Sequence, residues 1–247
     1  MFFLHKILQF LYNDKKIKNK DERREEYSYM IDNIPSPQER FNAIIKECLA
    51  PLMKKYGFKK KGTKFTREDE DLIYIIKTYK SRWNTKEELV FRIEWALEIK
   101  EEKKKPEVAF KAEALYGDLY DFTKDAKLQW FHLKENEPDS LSNDNNIKEK
   151  IVFNLESKVL PFIFSLHHIQ DIIKIIETTT SQHVLWSMPV LGGQTLSCLS
   201  RLYYFIEQPQ KSIELIDKAI QNAKIASYRK GLEDTRQNFM NGMKKKQ

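Results

Sequence analysis

The sequence predicts an α+β protein: an antiparallel sheet of about four to five strands packed with helices, followed by an all-helical C-terminal region. Residues 89–99 alternate apolar and polar side chains with the two-residue period of a strand. Strand-like runs follow one another across short connections, the pattern of antiparallel pairing. From Ile147 on, the apolar residues instead recur at helical spacing. These signals divide the chain into an amphipathic helix and charged linker (1–35), an α+β sheet unit (36–146) and a helical region packed on it (147–247).

Met1 to Tyr12 places Phe3, Leu4, Ile7, Leu8 and Leu11 on one helical face, and Lys15, Lys16, Lys18 and Lys20 follow. Such a segment can dock on its own domain or contact a membrane surface. Ser36-Pro37-Gln38-Glu39 is a capping box with Pro at the first helical position, so a helix starts there. Its apolar face runs through Phe41, Ile44, Ile45, Cys48, Leu49, Leu52 and Tyr56, and Gly57 ends it. Pro51 is expected to kink it, because proline cannot bond back to Glu47.

A short hairpin about Lys61-Gly62 is expected next, joining strands 58–60 and 63–67. Leu72 to Trp83 reads as a longer strand rich in β-branched and aromatic residues. Residues 89–99 form the clearest strand, with Leu89, Phe91, Ile93, Trp95, Leu97 and Ile99 inward. Residues 100–106 are a charge run, 107–116 a helical turn or two, 128–133 a last strand with Trp130 and Phe131, and 135–146 a loop. Beyond it, Ile151, Val152, Leu155, Val159, Phe162, Ile163 and Leu166 form one stripe broken by Pro161, and Ile169, Ile172, Ile173 and Ile176 the next. A turn over 189–194 precedes two amphipathic helices that meet at Pro209. The tail lysines 244–246 are expected to fray.

Composition narrows the function. Of 247 residues 41% are hydrophobic and 12% aromatic, enough for one or two cores, and seven Gly with eight Pro exclude a low-complexity chain. No apolar stretch reaches 18 residues, and Cys48 and Cys198 lack the CxxC spacing of a zinc or redox motif. A reducing, cytoplasmic setting is expected. The glycines match neither a dinucleotide nor a P-loop pattern, and the histidines show no HExxH. No catalytic residue, metal or cofactor is assigned. His167 and Asp171, one helical turn apart, read as a surface pair. A hydrolase with a dispersed site at His167 or Glu94 is a remaining alternative.

The net charge of +7 is local: residues 31–67 carry nine basic and three acidic side chains. Lys54, Lys55, Lys59, Lys60, Lys61, Lys64 and Arg67 support two readings. They are a phosphate-steering patch, with Tyr56, Phe58 and Phe65 for stacking on nucleic acid, or a lysine-rich turn that blunts a sheet edge. The second candidate surface is on the sheet. Lys80, Ser81, Arg82, Trp83 and Asn84 end one strand, and Arg92, Glu94 and Glu98 lie on the polar face of the next. Pairing brings charges of both signs together, either as cross-strand ion pairs or as a recognition face enriched in Arg and Trp.

The run FNAIIKECLAPLMKKYGFKKKGTKFTR from Phe41 to Arg67, KSRWN from Lys80, the strand VFRIEWALEI and LQWFHL from Leu128 resemble the bacterial family known as domain of unknown function 4304. The resemblance spans about residues 38–180. Gly57, Phe58, Ser81, Trp83, Phe91 and Trp130 carry it, while Phe131 stands where a second Trp is expected. It implies an α+β fold, no established activity, and by analogy with families encoded near toxin genes an immunity-like role. The functional expectation is a non-enzymatic binding module whose candidate contacts to a protein partner are Lys80, Arg82, Trp83, Arg92, Glu94 and Trp130. Nucleic-acid binding by the lysines is the alternative.

Overall fold

A computed structural model describes residues 35–100, 114–123, 125–135, 140–178 and 193–244. The expected amphipathic segment 1–12, the charge run 101–106 and most of the turn at 189–194 lie outside these residues.

The first helix, α1, covers residues 37–55 and begins on the capping box. The Glu39 carboxylate accepts from the Ser36 amide at 2.9 Å, and Ser36 Oγ accepts from the Glu39 amide. Pro51 does not break the helix. The turn before it, Ile44–Leu49, widens to π-helix, with the Ala50 amide bonding back five residues to the Ile45 carbonyl. The wider turn makes room for the proline ring and lets the helix continue through Ala50–Lys55. The same device recurs in α3 (140–164), where π-helix Leu155–Val159 precedes Pro161 and the Leu160 amide bonds to the Leu155 carbonyl. Each helix thus crosses its proline. Gly57, at φ +80°, then reverses the chain into the sheet.

Strands β1 (Lys59–Lys61), β2 (Lys64–Glu68), β3 (Leu72–Lys80), β4 (Glu88–Ile99), β5 (Leu115–Asp118) and β6 (Phe131–Lys134) form one antiparallel sheet. Its order is β1-β2-β3-β4-β5. The long β4 shares its far edge between β5, at residues 94–97, and β6, at residues 88–91. β5 corrects the sequence reading, which expected a helical turn through Tyr116. The short helix α2 (Leu119–Thr123) follows it, and Trp130 sits just before β6 rather than within it. The loop expected over 135–146 also gives way early, since α3 begins at Ser140.

One face of the sheet carries the helices. Phe91 meets Phe41 of α1 edge-on at 5.0 Å, and Trp95 packs on Phe122 of α2 and Phe162 of α3. The chain bends by 106° after α3 into α4 (Ile169–Thr178), whose Ile169, Ile172, Ile173 and Ile176 are all buried. Helices α5 (Gly193–Phe205), α6 (Pro209–Asn222) and α7 (Ala226–Lys244) complete the same continuous core. The last of these was not read from the sequence. No single described helix is long and apolar enough to cross a membrane.

Gly117 shows how tightly β5 is fitted. A Cβ there would lie 2.9 Å from the Trp95 ring and would also meet the Asp121 carboxylate. Gly117→Ala is therefore expected to lower unfolding free energy by about 1–3 kcal/mol, read from urea denaturation.

Candidate functional site

The period-2 alternation of β3 and β4 sends Tyr79, Lys77, Arg92 and Glu94 to the face opposite the helices. Tyr79 is directly opposite Arg92, and Lys77 opposite Glu94. The Arg92 guanidinium carbon lies 5.0 Å from the Tyr79 ring centre and 4.9 Å from that of Trp130. The two rings meet edge-on at 6.1 Å. Arg92 Nε donates to Glu94 Oε1 at 2.7 Å, and Lys77 Nζ approaches Glu94 Oε2 at 3.4 Å. Both cross-strand ion pairing and an Arg-aromatic face are thus present in one cluster. A cation between two rings and tied to a carboxylate has little freedom left to lose on binding.

Asp118 of β5 joins this cluster opposite Glu94. Its carboxylate lies 3.9 Å from Arg92. Burial pushes the Asp118 carboxyl above its ordinary range, Arg92 pulls it back, and Glu94 adds to the rise. Tyr79, Lys77 and Asp118 were not among the residues singled out from sequence. Tyr79 was legible from strand register, whereas Asp118 lay in a run with no strand signal.

The other candidates divide. Arg82 and Trp83 occupy the β3–β4 connection, with the Arg82 guanidinium 4.8 Å from the Trp83 ring, and Trp83 is 77% exposed. Lys80 points the other way. One residue along from Tyr79, it turns to the helix side, lies 4.4 Å over the Phe41 ring and donates to Gln38 Oε1 at 2.7 Å. Burial lowers its pKa. It anchors α1 to the sheet and does not belong to the Arg92 cluster.

The lysine-rich segment is dispersed. Lys55 pairs with Glu156 and Lys64 with Glu98, while Arg67 lies over Phe164 and donates to the Tyr56 carbonyl. Lys59, Lys60 and Lys61 are the whole of the exposed edge strand β1. A row of lysines there opposes pairing with another strand. Phe58 and Phe65 are buried, and the Tyr56 hydroxyl donates to Glu156, so these rings do not form an exposed stacking platform.

His167 and Asp171 do not pair through their side chains as expected. The Asp171 carboxylate accepts the backbone amides of His167 and His168, capping α4. The His167 imidazole instead reaches Asp69 at 3.0 Å, and His168 reaches Asp71 at 3.2 Å, fastening the α3–α4 corner to the β2–β3 turn. Among the described residues no group of three His, Cys, Asp or Glu side chains is arranged to hold a metal ion.

Asp69 also accepts from the Tyr74 hydroxyl at 2.9 Å. That bond, and then the one to His167, lowers the Asp69 pKa. A carboxyl depressed on folding contributes stability above its unfolded pKa of about 3.9 and loses it as pH falls through the folded value. Asp69→Asn is accordingly expected to destabilise at pH 7 and to flatten the loss of stability below about pH 4. Urea midpoints over a pH series read both effects.

The fold and this cluster define the class: an α+β protein, one sheet face packed with helices and the other carrying a fixed cation between aromatic rings. Residues 49–164 match the family described as Domain of unknown function (DUF4304), so this part of the chain resembles that family. The match holds β1 to β6, all of α3, and Gly57, Phe58, Ser81, Trp83, Phe91 and Trp130, but not residues 41–48 of the first run. It begins later and ends earlier than the span read from sequence, leaving α4 to α7 outside. No curated protein matches the chain, and no solved structure does.

Proposed function

We propose that the chain is a protein-binding module, not an enzyme, that holds a protein partner on the Tyr79–Arg92–Trp130 end of its sheet. The observation that carries this reading is the Arg92 guanidinium held between two rings on the face away from the helices. Arg, Trp and Tyr are the side chains that most often dominate binding energy, and pre-positioning reduces the entropy lost on association. The exposed Trp83 beside Arg82 extends the surface toward the β3–β4 tip. Exposed Lys59 and Lys61 lie on the same face by register, which favours a partner with an acidic rim.

An immunity-like role, neutralising a bound protein by covering it, is the form of binding proposed, by analogy with families encoded near toxin genes. Two buried cysteines, Cys48 and Cys198, suit a reducing cytoplasm. The test is affinity capture by the full chain from its native host at low and high salt, followed by mass spectrometry. A stoichiometric protein retained at high salt is the expected result. Recovery of nucleic acid alone, released as salt rises, overturns the reading in favour of the lysine segment.

A further inference from the structure

The charges of the Arg92 cluster are not shared evenly. Arg92 turns Nε and Nη2 to Glu94, the first at 2.7 Å, and Lys77 Nζ approaches the same carboxylate at 3.4 Å. Asp118, directly opposite Glu94 on β5, has Arg92 Nη1 only at 3.9 Å, beyond hydrogen-bonding distance. One carboxylate of the facing pair is bonded by the guanidinium, and the other feels only its field.

Asp118 is fixed where it stands. Its Oδ1 accepts from the Tyr120 amide at 2.9 Å, and its own amide donates to the Asp121 carboxylate at 2.7 Å, a reciprocal cap on the start of α2. Its side chain is 14% exposed, as is that of Glu94. Two facing carboxylates with so little contact with water repel each other, and a proton on one relieves both the repulsion and the burial. Because Glu94 holds the guanidinium, the proton falls to Asp118. The direction of its titration agrees: burial raises the carboxyl by more than Arg92 pulls it back. Among the described residues, the charged and titratable groups about Asp118 are Arg92 and Glu94 of β4, Lys77 of β3 beyond Glu94, and Tyr120 and Asp121 of α2.

We infer that Asp118 is a proton-operated control of the Arg92 face, and that an acidic partner binding there drives uptake of a proton on Asp118. The inference rests on the binding reading above and adds its regulation. With Asp118 ionised, the charges of Lys77, Arg92, Glu94 and Asp118 cancel; with Asp118 protonated, the cluster is left positive. Acidic groups brought against the face favour the protonated form, so by reciprocity the protonated form binds them more tightly. Affinity therefore rises as pH falls toward the Asp118 titration, by at most about tenfold per pH unit for a single proton.

Two measurements on the full chain test it. In the free chain, the Asp118 carboxyl carbon is followed by NMR over pH, with Asp118→Asn to assign its signal. It is expected to titrate above the ordinary aspartate value of about 3.9. A carboxyl raised on folding stabilises below its unfolded pKa, and that contribution is lost as pH rises through the folded value. Asp118→Asn, which keeps an acceptor for the Tyr120 amide, is accordingly expected to raise the unfolding midpoint at pH 7, with the gain vanishing below about pH 4. Titration at the ordinary value overturns the inference without touching the binding reading. The protein retained in the affinity capture is then titrated into wild-type and Asp118→Asn chains across about pH 5–8, in two buffers of different ionisation heat. The wild type is expected to take up more protons on binding than Asp118→Asn and to weaken more steeply as pH rises. Equal proton uptake by the two chains overturns the inference and leaves the binding reading intact. If no protein is captured, the binding reading fails and the inference with it, even where Asp118 titrates high.

Discussion

Arg40→Ala is expected to lower the unfolding free energy by about 3–5 kcal/mol. Arg40 is 3% exposed and joins three elements. Its Nε and Nη2 donate to the Asp144 carboxylate of α3 at 2.8–3.1 Å, and Nη1 donates to the Lys134 carbonyl at the end of β6 at 2.7 Å. Removing the guanidinium leaves a buried carboxylate and a strand-end carbonyl without that donor. The loss therefore contains a desolvation penalty besides the bond. Pairing Arg40→Met with Asp144→Leu removes both charges and is expected to recover most of the stability. A loss below about 1 kcal/mol for Arg40→Ala in urea denaturation would place the pair with solvent-exposed ion pairs instead.

The second large effect concerns binding. Trp130→Ala and Arg92→Glu are each expected to weaken the complex by about 30-fold or more, the range of an interface hot spot. Trp130→Ala removes one of the two rings against the guanidinium, and Arg92→Glu places a third carboxylate beside Glu94 and Asp118. Trp130 is only half-buried and lies before β6, so its truncation leaves the strand ladder intact. Titration calorimetry with the captured partner reads the affinity, and thermal unfolding of each variant separates lost contact from lost fold. Lys59→Glu with Lys61→Glu, on the far edge of the sheet, is expected to change the affinity far less and mainly through its salt dependence.

How much of this was visible in the sequence depends on the length of each pattern and on what lies on both sides of it. β4 alternates along its twelve residues except at Ala96, so its register and the outward positions of Arg92 and Glu94 follow directly. β3 begins with five buried residues, Leu72 to Ile76, because both of its faces are covered there. It therefore reads as a strand by its β-branched composition, not by period, and nothing in the run itself points to a second cover. Lys80 was grouped with Arg82 and Arg92 by proximity in sequence, although the period places it with Phe91 on the core side.

β5 has four residues, one of them Gly117, too few for a period to register. Its Asp118 consequently went unseen. α7 buries only Leu232, Thr235 and Phe239, a stripe too sparse to stand out from its polar neighbours. Pro51 and Pro161 misled for a physical reason: the missing bond is absorbed by a π-turn, which sequence rules for proline do not anticipate. The histidine pair illustrates a further limit. Spacing on one helix suggested Asp171 as the partner of His167, but a carboxylate three or four residues into a helix is also well placed to cap it. The imidazoles were left to meet Asp69 and Asp71 from a distant turn.

The aromatic-cationic end of the sheet is the surface proposed to meet a partner. Amide hydrogen exchange of the full chain, free and saturated with the captured protein, tests it most directly. New protection is expected in peptides covering 77–92 and 128–134, with α5 to α7 unchanged. Protection confined to α5–α7, or to the lysines of β1 and its turn, would contradict it.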